Sequence, residues 1–269
     1  MNVTTATTDP ALVEQRLRPL CRFLARYASA MLGCGATGER IVKNIRRMAA
    51  VADATVDIII LPAHIDVSVT DYQTGCTCQL SRPIDLMPVS YNLNTLLSKL
   101  SWKVAERKVS LEDACPMFDR IMRTKPLNKW KVMGVVTLAN ASFCRLFGGD
   151  PAAMLIVAAA TCLGYTIKKL MLEGRNGLLF TVLVCAFISA VTASGGYLFS
   201  LTTTPDVALG TSVLYLIPGI PYINSVNDLI TGHYLCAVGR FLHAAMITAC
   251  IALGLTATLL IMNLGMVGL

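Results

Sequence analysis

Apolar residues recur at intervals of three and four from Leu12 through Leu17, Leu20, Leu24, Tyr27 and Ala28 to Met31. That spacing predicts a helix over residues 9–36, with Asp9-Pro10 as its cap and first turn and Gly33 and Gly35 at its end. Thr37 is the expected cap of a second helix, with Glu39 and Arg40 in its first turn, running to about Ala52. The period then changes to two. Three β-branched runs, residues 55–61, 65–70 and 76–80, are separated by turns at 62–64 and 72–75. Ile65, Val67 and Val69 alternate with Asp66, Ser68 and Thr70, the pattern of a strand with one wet face. The meander is expected to bury its other face on the two helices. Helical spacing returns near 93–107 and 111–123. Ser110 and Asp113 form a capping box with Asp in place of Glu, and Lys125-Pro126 closes the last helix.

From Trp130 onward the two-sided pattern gives way to five apolar segments, at about 131–147, 151–167, 177–199, 207–223 and 241–262. The second, and the uninterrupted part of the fourth (207–217), are short for a straight span, which needs about 20 apolar residues. Short segments broken by Gly or Pro mark transport sites. The predicted architecture is an α-helical integral membrane protein in two parts. Residues 1–128 form a cytoplasmic α+β domain of order ααβββαα; residues 129–269 form a transmembrane domain of five helices, the fourth interrupted by Pro-Gly-x-Pro.

Composition agrees with this division. The 269 residues are 55% hydrophobic and 14% charged, whereas about a quarter of a soluble domain is charged. Residues 1–131 hold 18 of the 23 Lys and Arg and 12 of the 16 Asp and Glu, an excess of six positive charges. Acidic residues are interspersed and no aromatic-basic motif stands out. The excess therefore suits a domain facing an anionic inner leaflet, and nucleic acid is not an expected partner. Lys168, Lys169 and Arg175 between the second and third segments, Arg240 before the fifth, and Lys125, Lys129 and Lys131 before the first all belong on the cytoplasmic side. Arg145 is the exception. Residues 1–16 have no apolar core of a leader, so the N-terminal domain is expected to stay in the cytoplasm. The ten cysteines are scattered. Cys144, Cys162, Cys185 and Cys250 lie in apolar runs as small hydrophobes. Cys76 and Cys78 share one strand face, but zinc needs two further ligands and only His64 is near. No metal and no cofactor are expected.

The candidate chemistry concentrates in LYLIPGIPYINSVNDLITGH, from Leu214 to His233. Pro218 and Pro221 break a helix, and Gly219 permits a left-handed turn or a close approach. Asn224, Asn227 and Asp228 fall at i, i+3 and i+4, one helical face. In a membrane such a break is tolerated where protein or trapped water satisfies the freed carbonyls. One reading is a substrate path in which Asn224 and Asn227 bind substrate and Asp228 carries a proton or a cation. The plainer one is a wet cytoplasmic loop. His233 and Arg240 are the candidate proton partners of Asp228. Asn140, near Thr137 and Ser142 in the first segment, is an amide that needs a partner in lipid. Thr192, Ser194, Gly195 and Gly196 are read as a close helix contact. GCGATGER, from Gly33 to Arg40, lacks the Gly-Lys-Ser/Thr ending of a phosphate loop and is read as a helix–turn–helix joint. Asp53, Asp57, Asp66 and Asp71 form no hydrolytic pair, and no Ser-His-Asp pattern is present.

The run Leu216, Pro218, Gly219, Pro221, Ile223, Asn224, Asp228, Gly232 and His233, with Arg240 eight residues after Gly232, resembles the threonine/serine exporter family. Gly35-Ala36 and Glu39-Arg40 add to the likeness, as does the order of soluble domain then spans. Full-length members carry two homologous membrane halves. This chain resembles the larger subunit of the split form, which is associated with succinate export, while fused relatives are associated with threonine and serine. The resemblance implies a secondary exporter of a small amino acid or a dicarboxylate in a bacterial inner membrane, working with a second, smaller membrane subunit; coupling to protons is expected through Asp228. Two other readings stay open: a membrane-anchored enzyme with a hydrolase-like soluble domain, and a regulatory subunit of a transporter.

Overall fold

The computed structural model describes residues 10–85, 87–124 and 127–267. The elements are α1 (Pro10–Gly33), α2 (Gly38–Ala50), β1 (Ala54–Ile60), β2 (His64–Asp71), β3 (Thr77–Pro83), α3 (Tyr91–Ala105) and α4 (Leu111–Met122). They continue with α5 (Lys129–Leu146), α6 (Pro151–Glu173), α7 (Leu178–Leu198), α8 (Pro205–Thr211), a 3-10 turn (Leu214–Leu216), α9 (Gly219–Ile230) and α10 (Tyr234–Val267). The expected Asp9 cap and the Lys125-Pro126 stop lie outside the described residues. The chain divides into two compact units. Met1–Lys125 with Ile220–Phe241 make the front unit, and Pro126–Gly219 with Leu242–Leu269 the helical unit. The sequence pattern divides the chain near residue 128, but contacts return Ile220–Phe241 to the front unit.

In the front unit the strands form an antiparallel meander in the order β1-β2-β3. Val56 pairs with Val69, Ile58 with Val67, and Val69 with Cys78. Ile65, Val67 and Val69 point into the core, while Asp66, Ser68 and Thr70 stay partly wet. One sheet face rests on α1 and α2, as the alternation demands. β3 runs on to Pro83, three residues past its expected end, because an edge strand tolerates a proline. α3 starts two residues early because Ser90 caps it, accepting from the Leu93 N–H. The cap half of the expected capping box of α4 is present: the Asp113 N–H donates to Ser110 Oγ at 3.0 Å, while the Asp113 carboxylate accepts from the Ser110 hydroxyl, at 2.7 Å, in place of the backbone N–H. The core is built from large side chains, among them Leu24, Tyr27, Met31, Ile41, Ile65 and Leu97, all fully buried.

The helical unit packs differently. α6 lies between α5 and α7, and α8 packs on all three. The residues α6 buries are Ala153, Val157, Ala160, Thr161 and Gly164. α7 buries Ala186, Ser189, Ala190, Ala193, Ser194 and Gly196 among others. Large residues such as Leu138, Leu155, Phe180 and Leu253 face outward. α6 runs six residues beyond its expected end at 167, carrying Lys168 and Lys169 out as its last turns. α10 starts at Tyr234 rather than 241.

The five expected spans are met in part. Among the described residues three helices are long and apolar enough to cross a membrane: Pro151–Glu173, Leu178–Leu198 and Tyr234–Met262. The broken pair Pro205–Leu216 and Gly219–Ile230 makes a fourth if it is one span. The expected first span, α5, falls outside that set because Lys129, Lys131 and Arg145 share its 18 residues.

Candidate functional site

Pro218 does interrupt the chain, though the helix has stopped before it. α8 ends at Thr211, the 3-10 turn carries the chain to Leu216, and Ile217 is extended (φ −60°, ψ 126°), as a residue before proline should be. α9 then restarts at Gly219. The freedom expected of Gly219 is not used there: its surroundings are open, and it is not among the residues with positive φ. Positive φ falls instead at Gly35 (90°) and Gly232 (84°), which close α1 and α9. Both ends are Schellman turns: the N–H of Ala36 returns to the Met31 carbonyl, and that of His233 to the Asp228 carbonyl.

Asp228 is fully buried. Its Oδ1 accepts from the Gly38 N–H at 2.7 Å, across 190 residues of sequence. Its Oδ2 lies 2.9 Å from Arg240 Nη1 as an ion pair without the directed geometry of a hydrogen bond, and accepts from the Cys236 thiol at 3.3 Å. Arg240 Nη2 donates to the Ala36 carbonyl at 2.6 Å, and Asn224 Nδ2 to the Gly35 carbonyl at 2.9 Å. Ser225 donates to the Ala237 carbonyl at 2.8 Å and ties α9 to the first turns of α10. The α1–α2 joint, the GCGATGER run, is therefore gripped by α9 and α10 at Gly35, Ala36 and Gly38.

This grip explains a failed expectation. Thr37 occupies the N-cap position of α2, but its side chain caps nothing. Asp228 takes over that role, placing a carboxylate where orphan N–H groups and the helix dipole favour negative charge. Gly38 makes the approach possible, since a Cβ there would sit 2.8 Å from the His233 ring and 3.2 Å from Asp228 Oδ1. Burial also raises the Cys34 thiol in this joint to about 11, so it stays a neutral hydrophobe.

The remaining expected residues divide between the units. Asn227 is half-buried and lines a cleft with Arg40, Lys43 and Arg47 rather than facing Gly38. His233 meets Asp228 through its backbone N–H, at 2.8 Å from the Asp228 carbonyl oxygen. Tyr222 sits edge-on to Phe241 with centroids 5.8 Å apart. Asn140 belongs to the helical unit, where it donates to Thr161 Oγ1 at 2.6 Å and to the Thr211 carbonyl at 3.2 Å. It lines a largely apolar hollow of about 460 Å³ together with Phe143, Leu214 and Tyr215. The Tyr215 hydroxyl is 3.0 Å from Ser189 Oγ, and the Thr137 hydroxyl is buried with no hydrogen-bond partner among the described residues. Among the described residues no three His, Cys, Asp or Glu side chains gather as a metal site.

Sequence reasoning did not assign Gly38, Ala36, Ser225 or Cys236 to this network. A glycine opening a helix behind a threonine is the one local signal. It shows that something must approach, and the identity of the approaching group lies in a distant segment.

These features define a multi-pass α-helical membrane protein with a small α+β unit and a buried carboxylate node beside a broken helix. Residues 22–262 match the family described as "Putative threonine/serine exporter". The chain is 31% identical over 150 residues to "Probable succinate transporter subunit YjjP" of Escherichia coli, covering 54% of this chain and 58% of that protein. The same-named protein of Klebsiella aerogenes is 30% identical over 139 residues, 50% of this chain and 54% of that one. A "Probable threonine/serine exporter" of Mycobacterium tuberculosis is 22% identical over 256 residues, 94% of this chain and 48% of that protein. The chain thus spans about half the length of the curated relatives it matches. No solved structure matches it. The chain belongs to the threonine/serine exporter (ThrE) family.

Proposed function

We propose that this chain is a subunit of an inner-membrane secondary exporter of a small polar metabolite, either threonine and serine or a C4-dicarboxylate such as succinate. The observation that carries the reading is the buried Asp228–Arg240 pair, which joins the last turn of α9, the helix after the Pro218 break, to α10, in a chain that matches this family over 22–262. The front unit faces the cytoplasm, where its basic excess meets the inner leaflet. Ile223, Val226, Leu229 and Ile230 give α9 an exposed apolar side suited to lipid or to a second, smaller membrane subunit. That a 31%-identical relative is named a transporter subunit supports the partner.

The chain's own residues supply a coupling device. With Asp228 charged, one carboxylate holds the start of α2 and the Arg240 guanidinium together. A proton on Asp228 removes the charge that serves both, and a buried cation left unpaired is costly. Protonation thus loosens α9 from the α1–α2 joint, the element a proton gradient would work on. Pro218, Gly219 and Pro221 give the chain its break, Asn224 fixes the joint, and Asn140 with Thr137 supplies polar groups in the helical unit.

Counterflow in liposomes holding both subunits, with labelled serine, threonine and succinate compared, tests the reading. Flux of one of them that rises with an imposed proton gradient is the expected result. Absence of flux for all three overturns the substrate assignment. Wild-type flux from Asp228→Asn removes the proton role alone.

A further inference from the structure

The front unit carries a second polar site that the exporter reading leaves unused. Arg40, Lys43 and Arg47 fall at i, i+3 and i+7 along α2, and Thr95, Lys99 and Trp102 at i, i+4 and i+7 along α3. These two faces border an open cleft of about 670 Å³, whose lining includes four cations and a single carboxylate, Glu39. Glu39 is already held by Lys43 at 2.5 Å.

The two arginines are held by neutral groups. Arg40 Nη1 donates to Asn94 Oδ1 at 3.2 Å. Arg47 Nη1 donates to Ser101 Oγ at 2.9 Å and to Asn44 Oδ1 at 3.3 Å. Asn44, Asn94 and Ser101 are buried, and Asn44 is itself fixed by its bond to the Tyr27 hydroxyl at 3.0 Å. A buried polar floor therefore orients both guanidinium groups without neutralising them. Arg26 makes the contrast, since its charge is taken by Asp119 at 2.7 Å. The Arg47 guanidinium also lies 3.5 Å from the Trp102 ring centroid, yet Trp102 remains 53% exposed.

Arg40, Arg47 and Lys99, which have no carboxylate partner among the described residues, the Lys43–Glu39 pair beside them and an exposed indole select for a ligand with several anionic groups and a flat ring. Arginine forks match phosphate oxygens, and an aromatic face stacks a base. The volume lies within the range of ligand sites, about 300–1,000 Å³, and exceeds what a C4-dicarboxylate fills. We propose that this cleft binds a nucleoside polyphosphate, its phosphates on Arg40, Lys43, Arg47 and Lys99 and its base against Trp102. The site has no phosphate loop and no hydrolytic residues, so the nucleotide is a bound regulator. Asn227 borders the same cleft, next to the Asp228 that holds the start of α2. A ligand seated there ties α9 to α2 from a second side and favours the gripped state.

The test uses the full chain in detergent with Trp130→Phe, which leaves Trp102 as its sole tryptophan. Titration with ADP and ATP is expected to give a saturable change in Trp102 fluorescence at micromolar concentration. Arg40→Gln with Lys99→Gln, both exposed, is expected to weaken binding about tenfold or more by removing two charge-assisted contacts, with an unchanged thermal midpoint. No saturable change up to millimolar nucleotide in protein of normal midpoint overturns the proposal, as does undiminished affinity in the double variant. Equal affinity for pyrophosphate or succinate overturns the base contact. A response only to anionic lipid vesicles makes the cleft a headgroup seat instead. None of these results depends on flux, so they stand apart from the transport test.

Discussion

The two units differ in the balance of large and small residues they bury. The front unit fills its interior with Leu24, Tyr27, Met31, Ile41 and Leu97, and the helical unit with Ala160, Gly164, Ala186, Ser189 and Ala193. In water, a large apolar side chain gains by leaving the solvent, about 1.5–3 kcal/mol for a fully buried one. In lipid that gain disappears, because the surroundings are as apolar as leucine, and helices associate through close backbone approach. The difference is the one expected between an interior that forms in water and one that forms in lipid. It also explains why Leu138, Leu155 and Phe180 face outward without penalty.

Their helix starts differ in the same sense. Asp150 caps α6 locally: it accepts from the Ala153 N–H at 2.6 Å, the Thr202 hydroxyl at 2.7 Å and the Thr203 N–H at 2.8 Å. The Ala153 N–H, then the threonine groups, hold its carboxyl well below the usual carboxylate range. Asp228 caps α2 from another part of the chain and carries an arginine as well.

The largest expected effect tests the distant cap. Asp228→Ala leaves Arg240 and the Gly38 N–H buried and unpaired. Removing one partner of a buried ion pair costs about 3–5 kcal/mol, read as a lower thermal midpoint of the detergent-solubilised protein. Asp228→Asn keeps an acceptor for Gly38 and is expected to lose less. A wild-type midpoint for Asp228→Ala would mean the pair does not hold the joint.

The contrast in cores comes next. Leu24→Ala opens a cavity in the front unit and is expected to cost about 2–5 kcal/mol. Leu155→Ala on the outer face of α6 should change stability by less than about 0.5 kcal/mol in a bilayer. Similar losses at both positions would erase the distinction between the interiors. The converse change is Gly164→Ala, whose Cβ would collide with the Tyr215 and Ser189 hydroxyls. Overpacking of this kind costs about 1–3 kcal/mol, measurable as a lower midpoint.

The smallest effect is the acid response of the local cap. A carboxyl whose folded pKa lies below its unfolded value of about 4 contributes fully above that value and loses its contribution as pH falls through the folded one. Amide exchange at Ala153 and Thr203, corrected for intrinsic rates, should therefore quicken only in strong acid. Asp150→Asn should show the quicker exchange at neutral pH. No difference between the two proteins would assign the ordering of this loop to its threonines.

Much of the fold follows from local periodicity. The alternation of Ile65, Val67 and Val69 put β2 on the core, and Ser110 with Asp113 started α4 where expected. The misplaced boundaries have local causes too. Three basic residues set α5 apart from the more apolar α6 and α7, and the helix before Pro218 stops at Thr211, six residues short of the expected 217. The candidate site was legible in part: the motif named Asn224, Asp228, His233 and Arg240, with Arg240 as a candidate partner of Asp228, but not the α1–α2 joint they hold.

By itself, the sequence determined that a mixed unit precedes apolar helices and that proline breaks the chain at residue 218. Period, hydropathy and proline chemistry act over a few residues, and each leaves its mark in the string. Tertiary structure alone decided that Ile220–Phe241 returns to the front unit, that Asp228 caps a helix 190 residues away, and that Asn227 faces a basic cleft. Those outcomes depend on which buried groups must satisfy one another. A carboxylate has no marker in the sequence for the N–H group it will meet after folding.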